Sequence, residues 1–483
     1  MSRSWSSSTV SIRTIPKPAP KLVLESIWPD AGGNSFYIWG GHSNQGEEND
    51  LLTTESVWRF VADGEGGGSW GTEIPKNRDV YEKFHLSEGG AYTTAHNTGF
   101  NIGGMASGWT QKYRADTQPI SGVASYNFTR GTWSNDSASD VSAFGTLVGG
   151  TAEFVPGFGD NGVILVLGGA SYPLLAGDQP PGAQRDFRNI TLFDPITKVW
   201  YWQLTTGSAP TPRQRFCSVG AESTDGTHEI FVFGGTDETN SVTFDDVYIL
   251  SLPGFVWSKA DTSEGGKRSS HSCVVVGKRQ MLSVGGTNDK ISGQGQNIWL
   301  DPDPFPQGLG IFDMTELSWS TDYSSDAAAY DSPKVVKDWY KNTGVKSVQW
   351  SNGETEQLFM TEGGNTRSGA SDQEKPVESK KPIGPIVGGT VGGVALLAII
   401  GAVVFFVRRR KQPVHHPVAT YDPESLDKIQ QAGHDTFAPK PVEIGTQEVG
   451  RQPVTELPTE QTGGGAVYHA ELDGGDIVPH GRR

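Results

Sequence analysis

Two cysteines, Cys217 and Cys273, and five histidines, His42, His85, His96, His228 and His271, are the side chains before Val407 that could do redox or metal chemistry. Two thiols can close a disulfide in an oxidising compartment, or they can lie as core residues, cysteine being among the most buried types. The histidines form no metal-spaced pair, and His271 ends an Arg-Ser-Ser-His run where a structural role is expected. A glycine-rich phosphate loop, a Gly-x-Ser-x-Gly elbow and a carboxylate pair of recognisable spacing are all missing from the sequence. No catalytic residue, metal or cofactor is therefore assigned. Three Asn-x-Ser/Thr triplets, at Asn127, Asn135 and Asn189, are candidate N-glycosylation sites, and Asn135 is the most loop-like of them. The net charge of −16 without basic stripes argues against a nucleic-acid partner.

The elements that must position these residues are repeats. Apolar runs ending in a glycine pair recur at SFYIWGG (Gly40, Gly41), GFNIGG (Gly103, Gly104), VILVLGG (Gly168, Gly169), IFVFGG (Gly234, Gly235) and MLSVGG (Gly285, Gly286). After each pair comes a strand with an aromatic or large apolar residue, followed by a Trp: Phe60 and Trp70, Tyr126 and Trp133, Phe193 and Trp200, Leu250 and Trp257, Phe312 and Trp319. Short β-rich runs between Gly and Asp/Asn turns are antiparallel strands, not helices. A unit this small cannot bury both faces of its sheet, so neighbours must stack around a common axis. The paired glycines would let backbone approach backbone, and each Trp would fill the wedge between adjacent units.

This pattern resembles the kelch motif, and it implies an all-β, kelch-type β-propeller over residues 1–350. Five whole units and one partial one give an expected count of six blades, with seven the alternative. Trp5 looks like the Trp of a unit whose Gly-Gly strand would precede Met1. An upstream coding segment with a signal peptide and one more such strand is expected. The segment through Trp339 and Trp350 could complete the ring. Loops at 170–188 and 294–307 are longer insertions, and loops on a rigid scaffold commonly carry binding. Adjacent blades would bring Cys217 and Cys273 close, for a disulfide or for two buried core thiols. Galactose-oxidase-like enzymes also carry a kelch propeller. Their copper site, as that resemblance implies, needs a Tyr linked to a Cys, a second Tyr and two His, a set that cannot be mapped here residue by residue.

Residues 351–385 read as a flexible stalk, of which 363–382 are polar and rich in Pro, Gly and Ser. Ile386 to Val407 carries no charge, and a helix of that length spans about 33 Å. Arg408, Arg409, Arg410 and Lys411 follow at once, a pattern that would keep residues 408–483 cytoplasmic and disordered. Gly384, Gly388 and Gly392 give the small-residue spacing by which membrane helices dimerise. Repeats, stalk, span and tail together resemble the single-pass, membrane-anchored kelch proteins of filamentous fungi. The resemblance implies a cell-surface module with no catalysis, whose propeller displays loops to an unknown protein or carbohydrate ligand. A galactose-oxidase-like enzyme, or an intracellular kelch scaffold tethered to an organelle membrane, is the alternative.

Overall fold

A computed structural model describes residues 3–16, 18, 22–43, 57–81, 86–110, 117–174, 183–262, 265–288 and 302–360. The expected span at 386–407, its glycine spacing, the tail and His85 lie outside the described residues. Among the described residues, no helix is long and apolar enough to cross a membrane.

Among the described residues, five antiparallel sheets, each built on a four-stranded meander, make up the body, with short two-stranded ladders in the loops between their strands. Blade 1 comprises Ser26–Pro29, Ser35–Trp39, Val57–Ala62 and Gly68–Glu73. Blade 2 comprises Ala91–Ala95, Thr98–Ile102, Val123–Asn127 and Thr132–Asp136. Blade 3 comprises Thr151–Val155, Val163–Leu167, Asn189–Phe193 and Trp200–Leu204. Blade 4 comprises Cys217–Glu222, His228–Phe233, Val247–Leu252 and Val256–Lys259, and Thr206–Gly207 adds a parallel outer strand to it. Blade 5 comprises Ser272–Val276, Gln280–Val284, Leu309–Asp313 and Ser318–Ser320. The first strands of successive blades adjoin in order from blade 1 to blade 5 and form the inner wall of the propeller.

The aromatic spacing of the repeats is strand register. Phe60 faces Trp70, Tyr126 faces Trp133, Phe193 faces Trp200, Leu250 faces Trp257 and Phe312 faces Trp319, each as a direct cross-strand pair. Such pairs are the unit of sheet stabilisation. The indoles also reach the preceding blade: Trp133 packs on Trp28 and Trp39, Trp257 on Phe187, and Trp319 on Phe233. Trp257 Nε1 also donates to the Phe187 carbonyl at 3.0 Å, so its one polar atom is satisfied inside the core.

The glycine pairs are the joints between blades. The second glycine donates its N–H to a carbonyl in the loop entering the next blade: Gly41 to Ser87, Gly104 to Leu147, Gly169 to Arg213 and Gly235 to Arg268, at 2.7–2.9 Å. At Gly40, Gly103 and Gly234 a Cβ would stand 2.3–2.5 Å from that same next-blade carbonyl oxygen, which no side chain could do. Gly285 breaks the series. Nothing among the described residues lies within 4 Å of where its Cβ would be.

Among the described residues the expected count of six is corrected to five blades. After blade 5, Asp322–Tyr323 pairs with Trp5–Ser6 in a two-stranded ladder, and Trp5 stacks on Tyr323 with ring centroids 5.4 Å apart. Trp5 is thus held by blade 5. The chain then leaves the sheet pattern altogether. Lys334–Asn342 is a helix with Val336 buried and Tyr340 one turn on, packed at the same core cluster, so Trp339 lies on a helix and not in a closing strand. Apolar residues four apart suit a helical face, whereas a blade strand needs alternation. Residues 353–360, expected within the stalk, form a second helix that buries Thr355 and Phe359. Phe359 packs against Phe158 and Phe255, from turns of blades 3 and 4.

Candidate functional site

A four-stranded meander sends its odd and even connections to opposite ends. One end of the propeller therefore carries the hairpin turns, and the other carries the loops after the glycine pairs and those entering each next blade. Residues 330–360 cover the turn end over blades 3 to 5. Ser251, Tyr330 and Ser332 all donate to the buried carboxylate of Glu229, at 2.8, 2.8 and 3.0 Å. Burial pushes the Glu229 pKa upward against these hydrogen bonds. The hydroxyl of Tyr340 accepts the Gly254 N–H at 3.0 Å.

The glycine-pair end holds a cleft of about 490 Å³ between blades 2 and 3, lined by Ser121, Gly122, Asn135, Asp136, Phe144 and Leu174 among others. Phe144 and Leu174 are 44% and 50% exposed and give it an apolar rim. Its floor is braced by Lys198, 3.1 Å from Asp136, and by the Trp200 indole, which donates to the Ser137 carbonyl at 3.0 Å. Gly122 holds φ at 113°, and a Cβ there would meet the Asn135 Oδ1 at 2.9 Å. A concave site with a few fixed polar groups and an apolar edge suits a hydroxylated ligand or a peptide side chain.

The three Asn-x-Ser/Thr triplets have different surroundings. Asn135 is exposed and opens on the cleft. Asn189 is exposed at the start of its strand. The side chain of Asn127 is engaged at both ends: its Nδ2 donates to Thr98 Oγ1 at 3.1 Å and its Oδ1 accepts the Arg130 N–H at 2.8 Å.

Cys217 and Cys273 are joined as a disulfide between the inner strands of blades 4 and 5, with Cα atoms 5.6 Å apart. The histidines are dispersed. His42 pairs with Glu88, and His96 Nε2 contacts the Asn161 carbonyl at 2.6 Å. Burial lowers the His228 pKa to about 4. Burial, with the Arg268 charge adding to it, lowers that of His271 to about 3.

Two features escaped sequence reasoning. Glu153, on the inner strand of blade 3, is half-buried, and burial raises its pKa to about 7 although the Ser218 hydroxyl donates to it at 2.6 Å. In its strand it reads as an ordinary solvent-side residue, so no local signal marks it. Arg213 and Arg268 did have a signal, because each precedes a cysteine strand in consecutive units. Each guanidinium donates to the carbonyl of the first glycine in the pair of the blade it enters, Gly234 at 3.0 Å and Gly285 at 2.9 Å. Each also pairs with a carboxylate, Asp246 at 2.6 Å and Asp303 at 3.0 Å.

No protein-family model matches the chain. A kelch repeat-containing protein of Arthroderma benhamiae is 29% identical over 205 residues, which cover 40% of this chain and 28% of that protein's length. The five glycine-pair blades and this similarity agree. The chain is a β-propeller with kelch-like repeats, similar to that kelch repeat-containing protein. The blades supply a rigid body and the loops supply the variable surface.

Proposed function

We propose that this kelch propeller is the recognition head of a single-pass membrane protein. It binds a protein or carbohydrate ligand at the glycine-pair end and performs no catalysis. One observation carries the reading: residues 330–360 occupy the turn end, while the opposite end presents the open cleft rimmed by Phe144 and Leu174. The bond between Cys217 and Cys273 favours an oxidising compartment, which fits residues 1–385 outside the cell, a span at 386–407 and a cytoplasmic tail. It also occupies both sulfurs, leaving none for the Tyr–Cys link of a galactose-oxidase-like copper site. Dimerisation through the glycine spacing of the span belongs to the same reading.

The test uses the full chain in detergent micelles on glycan and protein arrays, beside a Phe144→Asp/Leu174→Asp variant. Loss of about fivefold or more in affinity is expected for the variant, as for anchors of an interface. Ligand capture that survives both substitutions sinks the site. A propeller protected from protease added to intact cells sinks the topology.

A further inference from the structure

His271 lies three residues beyond Arg268, whose carbonyl joins blades 4 and 5, and two before Cys273, and it points into the boundary between those blades. Its ring is seated in space left by two glycines. A Cβ on Gly234 would come 2.9 Å from its Cε1, and one on Gly286 would come 2.7 Å from its Cβ. The edge of Phe233 closes the slot, ring centroids 5.0 Å apart. The residue is 7% exposed, and neither Nδ1 nor Nε2 has a hydrogen-bond partner among the described residues, although the backbone of Phe233 and Ser269 is near. An imidazole held dry with both nitrogens unmatched costs free energy unless something else uses its lone pair. One ring nitrogen and the two disulfide sulfurs fall within 4.8 Å of one another. In the oxidised protein those sulfurs are spent on each other.

We propose that in the reduced protein Cys217, Cys273 and His271 form a three-donor site for a single Cu(I) ion. A small dithiol delivers two electrons and two protons to the disulfide and leaves as its own cyclic disulfide, giving two cysteine thiols. Cu(I) then displaces both thiol protons to the buffer. Two Cu–S bonds and one Cu–N bond form, the last from the lone pair of His271, and copper stays Cu(I) throughout. Thiolate and imidazole are the donors that soft copper takes. Zn(II) prefers a fourth ligand, and the cluster offers three donors among the described residues. The resulting centre carries one net negative charge. Arg268, which also pairs with Asp303 at 3.0 Å, stands beside the ring with a buried Nε that has no partner among the described residues.

The site is tested on the full chain, reduced with a dithiol, desalted under argon and titrated with Cu(I) against a chromophoric bidentate chelator. The reduced wild type is expected to withdraw one equivalent, and the oxidised protein none. Cys217→Ser/Cys273→Ser should withdraw none while keeping its elution volume and near-ultraviolet circular dichroism. His271→Gln keeps the disulfide as an aid to folding, and once reduced it should bind at least about tenfold more weakly, the loss seen when even a partner behind a metal ligand is removed. Equal copper uptake by the reduced wild type and the double serine variant overturns the proposal. So does unchanged affinity in His271→Gln, or tight one-equivalent uptake of Zn(II) with none of Cu(I).

Discussion

The N–H of Gly235 donates at 2.9 Å to the carbonyl of Arg268, the same oxygen that would stand 2.5 Å from a Cβ on Gly234. One peptide carbonyl thus joins blade 4 to blade 5, and it fits only because the first residue of the pair has no side chain. Gly234→Ala must move that carbonyl and also hold a left-handed residue at φ 65°. Gly285→Ala carries a similar φ of 62° but meets nothing among the described residues. The first should cost about 3 kcal/mol and the second about 1 kcal/mol. Denaturant midpoints for the two variants check this; equal costs would mean that the joint contributes nothing.

Acid response divides between groups of opposite sign. Burial raises Glu153 from 4.5 to about 7, so the folded state holds that proton more tightly, and its contribution is full below pH 4.5 and lost as pH rises through about 7. His228 and His271 are lowered from 6.5 to about 4 and about 3, so they stabilise above pH 6.5 and destabilise as pH falls toward those values. Between pH 6.5 and 4.5 the carboxyl opposes the imidazoles. Glu153→Gln removes that opposition. Unfolding free energies measured across this range should fall more steeply on acidification in the variant than in the wild type.

The cover on the turn end is held by an aromatic contact and by hydrogen bonds to a buried carboxylate. Phe359 is 5% exposed against Phe158 and Phe255, and Phe359→Ala should cost about 3 kcal/mol. Tyr330→Phe leaves the buried Glu229 short of one hydrogen bond and should cost about 1–2 kcal/mol. Thermal unfolding of each variant supplies both numbers. A Phe359→Ala protein as stable as the wild type would mean that the helix is not docked in solution.

Glycan occupancy should follow side-chain engagement. In cells that secrete or display the chain, endoglycosidase should shift the wild type and Asn127→Gln alike, because the Asn127 amide already serves Thr98. Asn135→Gln should lose a glycan, which mass spectrometry of the tryptic glycopeptide would register.

The glycine pairs and the aromatic spacing were legible because each is a local solution repeated at every blade. Phe312 and Trp319 had to be opposite each other for the hairpin to close, and they are. The end of the body was misread because Trp339 and Trp350 looked like two more Trp of the repeat. Without a preceding glycine pair, the helical spacing of Val336 and Tyr340 decides that stretch instead. Glu153 and Glu229 could not be picked out, since a lone carboxylate in an alternating strand looks solvated until the neighbouring blade or the returning chain covers it. The pairing of His271 with the two cysteines is a property of two adjacent inner strands. No spacing within either one contains it.

The disulfide ties the first strands of blades 4 and 5 across 56 residues of chain, while a Cβ on Gly285 would meet nothing within 4 Å among the described residues. Blades that touch only their neighbours behave as a row, in which opening begins where an end is least restrained. Here one end is stapled and the other, blade 1, is not. Loss of structure is therefore directional: amide exchange should run from blade 1 inward and reach the fused pair of blades 4 and 5 last, and reducing the bond should abolish that polarity.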